Sequence, residues 1–196
     1  MTTIAGWIVL VLMAVTVIGL VAVHVLPTGL SPLRNPVSQY HLTPYRPWIA
    51  TSTIASGVAG IAAIVVVTGV LGGAGTVTAV LLGVYAASRI IIPFVRMDPP
   101  DTPTTTRGHI HTVLAFGAFG PATAAAFVAG GAFHDAGFPM LATWSTVFGV
   151  IAAVGAVGML VCSLSKRRGL FGFFERVIYV GNIGFIVIVG LLGLGA

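Results

Sequence analysis

From Ile4 to Leu26 the chain runs about 23 residues without an acidic or basic charge. At 1.5 Å per residue that stretch reaches about 35 Å, enough to cross a hydrocarbon core of about 30 Å. It reads as a retained membrane helix, because a cleaved signal would need a basic leading segment and a small-residue cleavage site. Similar apolar runs recur, and they set what the chain can become. With 57% hydrophobic and only 7% charged residues, against about a quarter charged in soluble domains, a soluble domain is excluded.

Further spans are predicted at about 48–71, 76–95, 108–131, 140–164 and 177–194, the first at about 4–26. The expected fold is all-α: a polytopic membrane protein, one domain over 1–196, with six transmembrane helices in a compact bundle. Gly72 to Gly75 can only make a tight hairpin. Gly120-Pro121 should break or kink the fourth span, and His134 and Asp135 should lie in the turn after it. The pairs Gly57 and Gly60, Gly117 and Gly120, Gly155 and Gly158, and Gly181 and Gly184 are places where helix backbones can approach closely. Such faces also allow self-association or a membrane-protein partner.

Three polar loops separate the spans: His24 to Arg46, Arg96 to Arg107, and Ser165 to Arg176. Four prolines, two arginines and two histidines crowd into the first, so it cannot sit in hydrocarbon as a plain helix. The loops after spans one, three and five share one membrane face. They hold Arg34, Arg46, Arg96, Arg107, Lys166, Arg167, Arg168 and Arg176. The positive-inside rule makes that face cytoplasmic in the cell membrane, with both termini outside. The net charge of +5 has no basic cluster interleaved with aromatics, so nucleic acid is not an expected partner. Membrane lipids are. Cys162, alone, excludes an internal disulfide.

Helical spacing brings polar residues to the same face. Tyr85, Arg89 and Arg96 fall at i, i+4 and i+11 on span three; Glu175, Tyr179 and Asn182 fall at i, i+4 and i+7 on span six. His109 and Thr112 begin span four. A chamber open toward the charged face is therefore expected. Arg89, inside a span, costs roughly 2.5–3.5 kcal/mol on insertion scales and needs a partner. Asp98, Asp101 or Glu175 could neutralise it as an ion pair, or it could meet an anionic ligand.

The binding set expected around it is Arg34, Asn35, Ser38, Arg89, Asp101, Thr106, His109, Glu175, Arg176, Tyr179 and Asn182. A catalytic alternative uses Ser38 or a water as nucleophile, His41 or His109 as base and Asp98 as orienter. No GxSxG elbow supports it, and Ser38 also suits a turn cap. His109 and His111, two apart, point about 200° from one another on a helix. With no HExxH, CxxC or i, i+4 histidine pair, no metal site is expected, and no cofactor.

The segments GLSPLRNPVSQYHLTPYR, FVRMDPPDTPTTTRGHIH and GLFGFFER resemble the six-span bacterial and archaeal membrane proteins of the domain of unknown function 998 family. The layout is also loosely similar to Frag1/DRAM-type membrane proteins. The family resemblance implies landmarks at Ser38, Pro99 or Pro100, Asp101, Thr106, His109 and Glu175-Arg176. The basic N-terminus of such proteins is missing here. The resemblance brings no established activity. Three readings stand: a protein that binds, or also modifies, a lipid headgroup or small anionic amphiphile; a small transporter or proton-coupled carrier; and an accessory subunit of a larger membrane complex.

Overall fold

The computed structural model describes residues 1–165 and 168–195. Six α-helices make up nearly all of it: α1 (Thr2–Val25), α2 (Arg46–Leu71), α3 (Thr76–Ile91), α4 (Thr106–Asp135), α5 (Pro139–Leu164) and α6 (Phe171–Gly195). Short 3-10 segments cover Val37–Leu42, Gly72–Gly75, Ile92–Phe94 and Arg168–Leu170. Among the described residues, five helical stretches are long and apolar enough to cross a membrane. One of them, Arg46–Phe94, contains both α2 and α3, which fold back on each other at Gly72–Gly75. The chain is an integral membrane protein.

Local chemistry sets the helix ends. Pro27 forces Leu26 into an extended conformation (φ −71°, ψ 150°) and so stops α1. Pro47 and Pro139 sit in the first turns of α2 and α5, where a missing N–H costs nothing. Thr105 caps α4, its hydroxyl accepting from the Gly108 N–H at 3.2 Å.

Three expectations need correction here. Of the break or kink expected at Gly120-Pro121, the break is absent, since α4 is one helix from Thr106 to Asp135 with Pro121 inside it. That helix also absorbs His134 and Asp135, which were expected in the turn. Arg96 does not extend the Tyr85–Arg89 face: Pro93 cannot continue the α-helical hydrogen bonding, α3 passes into the Ile92–Phe94 turn, and Arg96 lies beyond it, exposed.

Helices follow one another around the bundle, and α6 closes the ring by packing on α1, α2 and α5. The main core lies toward the termini and mid-membrane, with Val9, Met13, Val66, Leu82, Phe133, Phe185 and Leu192 buried. A smaller cluster of Val23, Val37, Tyr40 and Ile49 lies under the first loop. The polar chamber sits between them.

Gly57, Gly155 and Gly181 each stand where a Cβ would run into the backbone of a neighbouring helix. Gly120 does not belong to this group. Nothing lies within 4 Å of the place its Cβ would take.

Candidate functional site

At the loop end of the bundle a cavity of about 30 Å³ is lined by Ser38, His41, Thr53, Arg89, His111, Glu175 and Tyr179, among others. About 10–15 Å³ on this scale accommodates one water, so the space suits a few waters or a small polar group. The 3-10 turn Val37–Leu42 covers it from the loop side. Ser38 fastens that cover by donating to Met97 Sδ at 3.2 Å, which joins the first loop to the second.

Arg89 is 3% exposed. Its Nε donates to Ser56 Oγ at 2.7 Å and its Nη1 to Tyr179 Oη at 2.9 Å, and the guanidinium lies 5.1 Å from the Tyr179 ring centroid. Among the described residues it forms no ion pair and Nη2 makes no hydrogen bond. Of the two alternatives for Arg89, the carboxylate ion pair is not formed among the described residues; two hydroxyls and an aromatic face take its place. Tyr179 is itself set by an edge-on contact with Phe119, centroids 5.4 Å apart.

Glu175, 4% exposed, spends Oε2 on the Val37 N–H at 2.6 Å. That bond caps the first residue of the covering turn, and Oε1 accepts nothing from the described residues. His111 Nδ1 contacts Val95 O at 2.6 Å. A carbonyl can only accept, so Nδ1 carries the proton and Nε2 is left as an acceptor. His41 is 6% exposed and its Nδ1 is buried with no hydrogen-bond partner among the described residues. Burial pushes its pKa down to about 4, with the His111 ring and the Arg89, Arg46 and Arg96 cations acting in the same direction.

A stability consequence follows for His41. Its pKa in the folded protein lies below the ordinary 6.5, so the unfolded chain takes up the proton first. Stability is full above about pH 6.5 and falls as the pH drops toward 4, by about 3 kcal/mol at the limit. Melting in detergent across pH 4–7 should show this decline, and His41→Gln should flatten part of it.

The other expected residues lie elsewhere. His109 is exposed and His111 takes the inner position. The buried stripe of α4 runs Gly108, His111, Ala118, Ala122, Ala125 and Ala129, and a residue two before His111 faces away.

Asp98 does not orient a base. It accepts from the Thr105 N–H and Thr105 Oγ1, both at 2.7 Å, and these bonds hold its carboxyl below the usual carboxylate range. It ties the second loop to the start of α4. Gly108 lacks a side chain where the Asp98 carboxylate comes to rest.

Asp101 is exposed at φ +61° at the loop tip, Thr106 is exposed in the first turn of α4, and Arg34 is exposed on the first loop. Asn35 staples its own loop, accepting from the Ser31 N–H at 2.7 Å and donating to Gln39 Oε1 at 2.9 Å. Asn182 lies deeper, its Oδ1 accepting from Thr123 Oγ1 at 3.3 Å while its Nδ2 has no partner among the described residues.

Arg176 sits outside the cavity and ties the first loop to α1 and α6. Its Nε donates to His24 Nε2 at 2.7 Å, Nη1 to Asn35 O at 3.0 Å and Gly172 O at 2.8 Å, and Nη2 to Tyr40 Oη at 3.2 Å. His24 Nδ1 meets Leu20 O at 2.6 Å, which fixes Nε2 as the acceptor. Four residues outside the expected binding and catalytic sets thus shape the site and its surroundings: Ser56, Thr53, His111 and His24. The stripe of small residues on span four could have found His111.

The family model described as protein of unknown function, DUF998, matches residues 4–192. The chain belongs to the DUF998 family. The match spans nearly all six helices, so chamber, cover and loops lie within the DUF998 region. No curated protein and no solved structure matches the chain.

Proposed function

We propose that this DUF998 protein binds the anionic headgroup of a lipid or small amphiphile in the chamber around Arg89. The observation that carries this reading is a buried guanidinium with no ion pair among the described residues, facing a cavity with one nitrogen uncommitted. Burying a charge so incompletely paired is costly, and an oxyanion would recover that cost through charge-assisted hydrogen bonds. Glu175, His41 and His111 line the same space and can meet a headgroup hydroxyl or amine.

Arg46 and Arg96 lie close enough to His41 to act on its charge, and Arg34 and Arg107 are exposed on the same loop face. By the positive-inside rule the chamber faces the cytoplasmic leaflet of the cell membrane, with both termini outside. Lys166 and Arg167, which also suggest that orientation, lie outside the described residues. A carrier would need polar groups continuing toward the opposite face. Below Asn182 the core is mainly apolar, with Ala126, Phe133 and Phe185 buried and isolated hydroxyls at Ser145 and Thr78.

Native mass spectra of protein extracted in mild detergent test the reading. The wild type should carry a defined small mass, and Arg89→Gln, still folded, should lose it at least about tenfold. If neither form carries a ligand and the variant only unfolds sooner, Arg89 is a structural donor and the proposal fails.

A further inference from the structure

On the outside of the bundle, α1 and α6 touch backbone to backbone near the termini. A Cβ on Gly6 would stand 2.7 Å from Gly190 O and 3.3 Å from the Gly193 Cα. Toward the loop end the two helices are separated by a cavity of about 450 Å³, within the range of about 300–1,000 Å³ typical of ligand pockets. Val17, Leu20 and Val21 of α1 and Val180 and Ile183 of α6 form its apolar walls. Val21 and Val180 are 53% and 57% exposed, so the groove is open on the side that meets lipid.

Its length follows from the helices. Val17 to His24 and Arg176 to Ile183 each cover about 10 Å at 1.5 Å per residue. The groove therefore runs along the helix axes, the direction in which acyl chains lie.

Arg176 and His24 stand at the end nearest the loops. A guanidinium has five N–H donors, and the four hydrogen bonds of Arg176 leave one on Nη2, together with a charge that has no ion pair among the described residues. A second apolar helix laid in this groove would bury that donor unsatisfied, whereas a phosphate would satisfy it.

We propose that the α1–α6 groove seats an acyl chain of one anionic phospholipid whose phosphate is held at Arg176. This site is distinct from the Arg89 chamber. Val37 and Tyr179 line both and stand between them, so the groove can fill whether or not the chamber does.

The test uses the full chain in nanodiscs of phosphatidylglycerol and phosphatidylcholine in equal amounts, released gently for native mass spectrometry. One phosphatidylglycerol should remain on the protein, favoured over phosphatidylcholine about tenfold. Val21→Trp and Val180→Trp, made separately, fill the groove from its lipid side and leave the Arg176 hydrogen bonds alone. Either should remove the bound lipid at an unchanged melting temperature. Equal retention of the two lipids, no retained lipid, or full retention in both tryptophan variants would overturn the proposal.

Discussion

Arg176→Ala should lower the stability of the protein by about 3–5 kcal/mol and its melting temperature by roughly 6–20 °C. One side chain makes four hydrogen bonds to three parts of the chain: His24 on α1, Asn35 and Tyr40 on the first loop, and Gly172 on α6. Each hydrogen bond to a charged group contributes about 1.5–3 kcal/mol, but the four share a side chain and do not add in full. Truncation leaves two carbonyls, a phenol and an imidazole nitrogen without their donor. The first loop should then detach locally, and amide exchange over residues 31–42 should accelerate more than exchange in α4 or α5. Arg176→Lys keeps the charge but cannot reproduce the planar fork, so it should recover less than half of the loss. A melting temperature unchanged in Arg176→Ala would show that other contacts hold the loop.

How far the sequence discloses this arrangement depends on whether a residue sits on a helix or in a loop. Charge-free runs mark the helices because the bilayer demands internally bonded backbone, and the all-α membrane fold follows from them. On a helix, spacing gives direction. Tyr85 with Arg89, and Glu175 with Tyr179, point inward as their i, i+4 relation requires. Spacing does not name the partner across the gap. Ser56 shares a face of span two with Ser52, four residues before it, but nothing in the sequence connects it with Arg89 on span three. His109 shows the limit from the other side, because choosing between it and His111 needed the small-residue stripe of α4 as a reference.

Loops carry no such period. Asp98, Asp101, Thr106 and Arg34 share a membrane face with the chamber, and being on that face is all that alternation of loops could establish. Asp98 is taken up by Thr105 a few residues later, a local Asp-to-Thr contact that competes successfully with any long-range role. The continuous α4 has a related cause. Pro121 removes one donor and Gly120 adds freedom, yet packing on α3 and α5 keeps the helix whole.

The glycines separate into two kinds, and the largest steric effect should come from Gly181. A Cβ there would stand 2.5 Å from Ala152 N and 2.6 Å from Phe148 O, both backbone atoms of α5 that cannot rotate aside. Gly155 makes the reciprocal approach, its Cβ position 2.7 Å from Ile178 N and from Phe174 O on α6. The α5–α6 interface is thus set by backbone contact on both helices, the kind of packing that joins helices where the hydrophobic effect offers no preference. Gly181→Leu must push α6 away from α5 and should cost about 3–5 kcal/mol, the upper end of overpacking. Glu175 and Tyr179 lie within two turns of Gly181, so the same displacement should pull Tyr179 off Arg89 and open the chamber. Gly120→Ala is the control. With open space around it, removing a helix-interior glycine should stabilise the protein by about 0.5–1 kcal/mol. Thermal unfolding of the two variants in one detergent should therefore move in opposite directions. If both moved together, glycine content rather than backbone contact would govern the bundle.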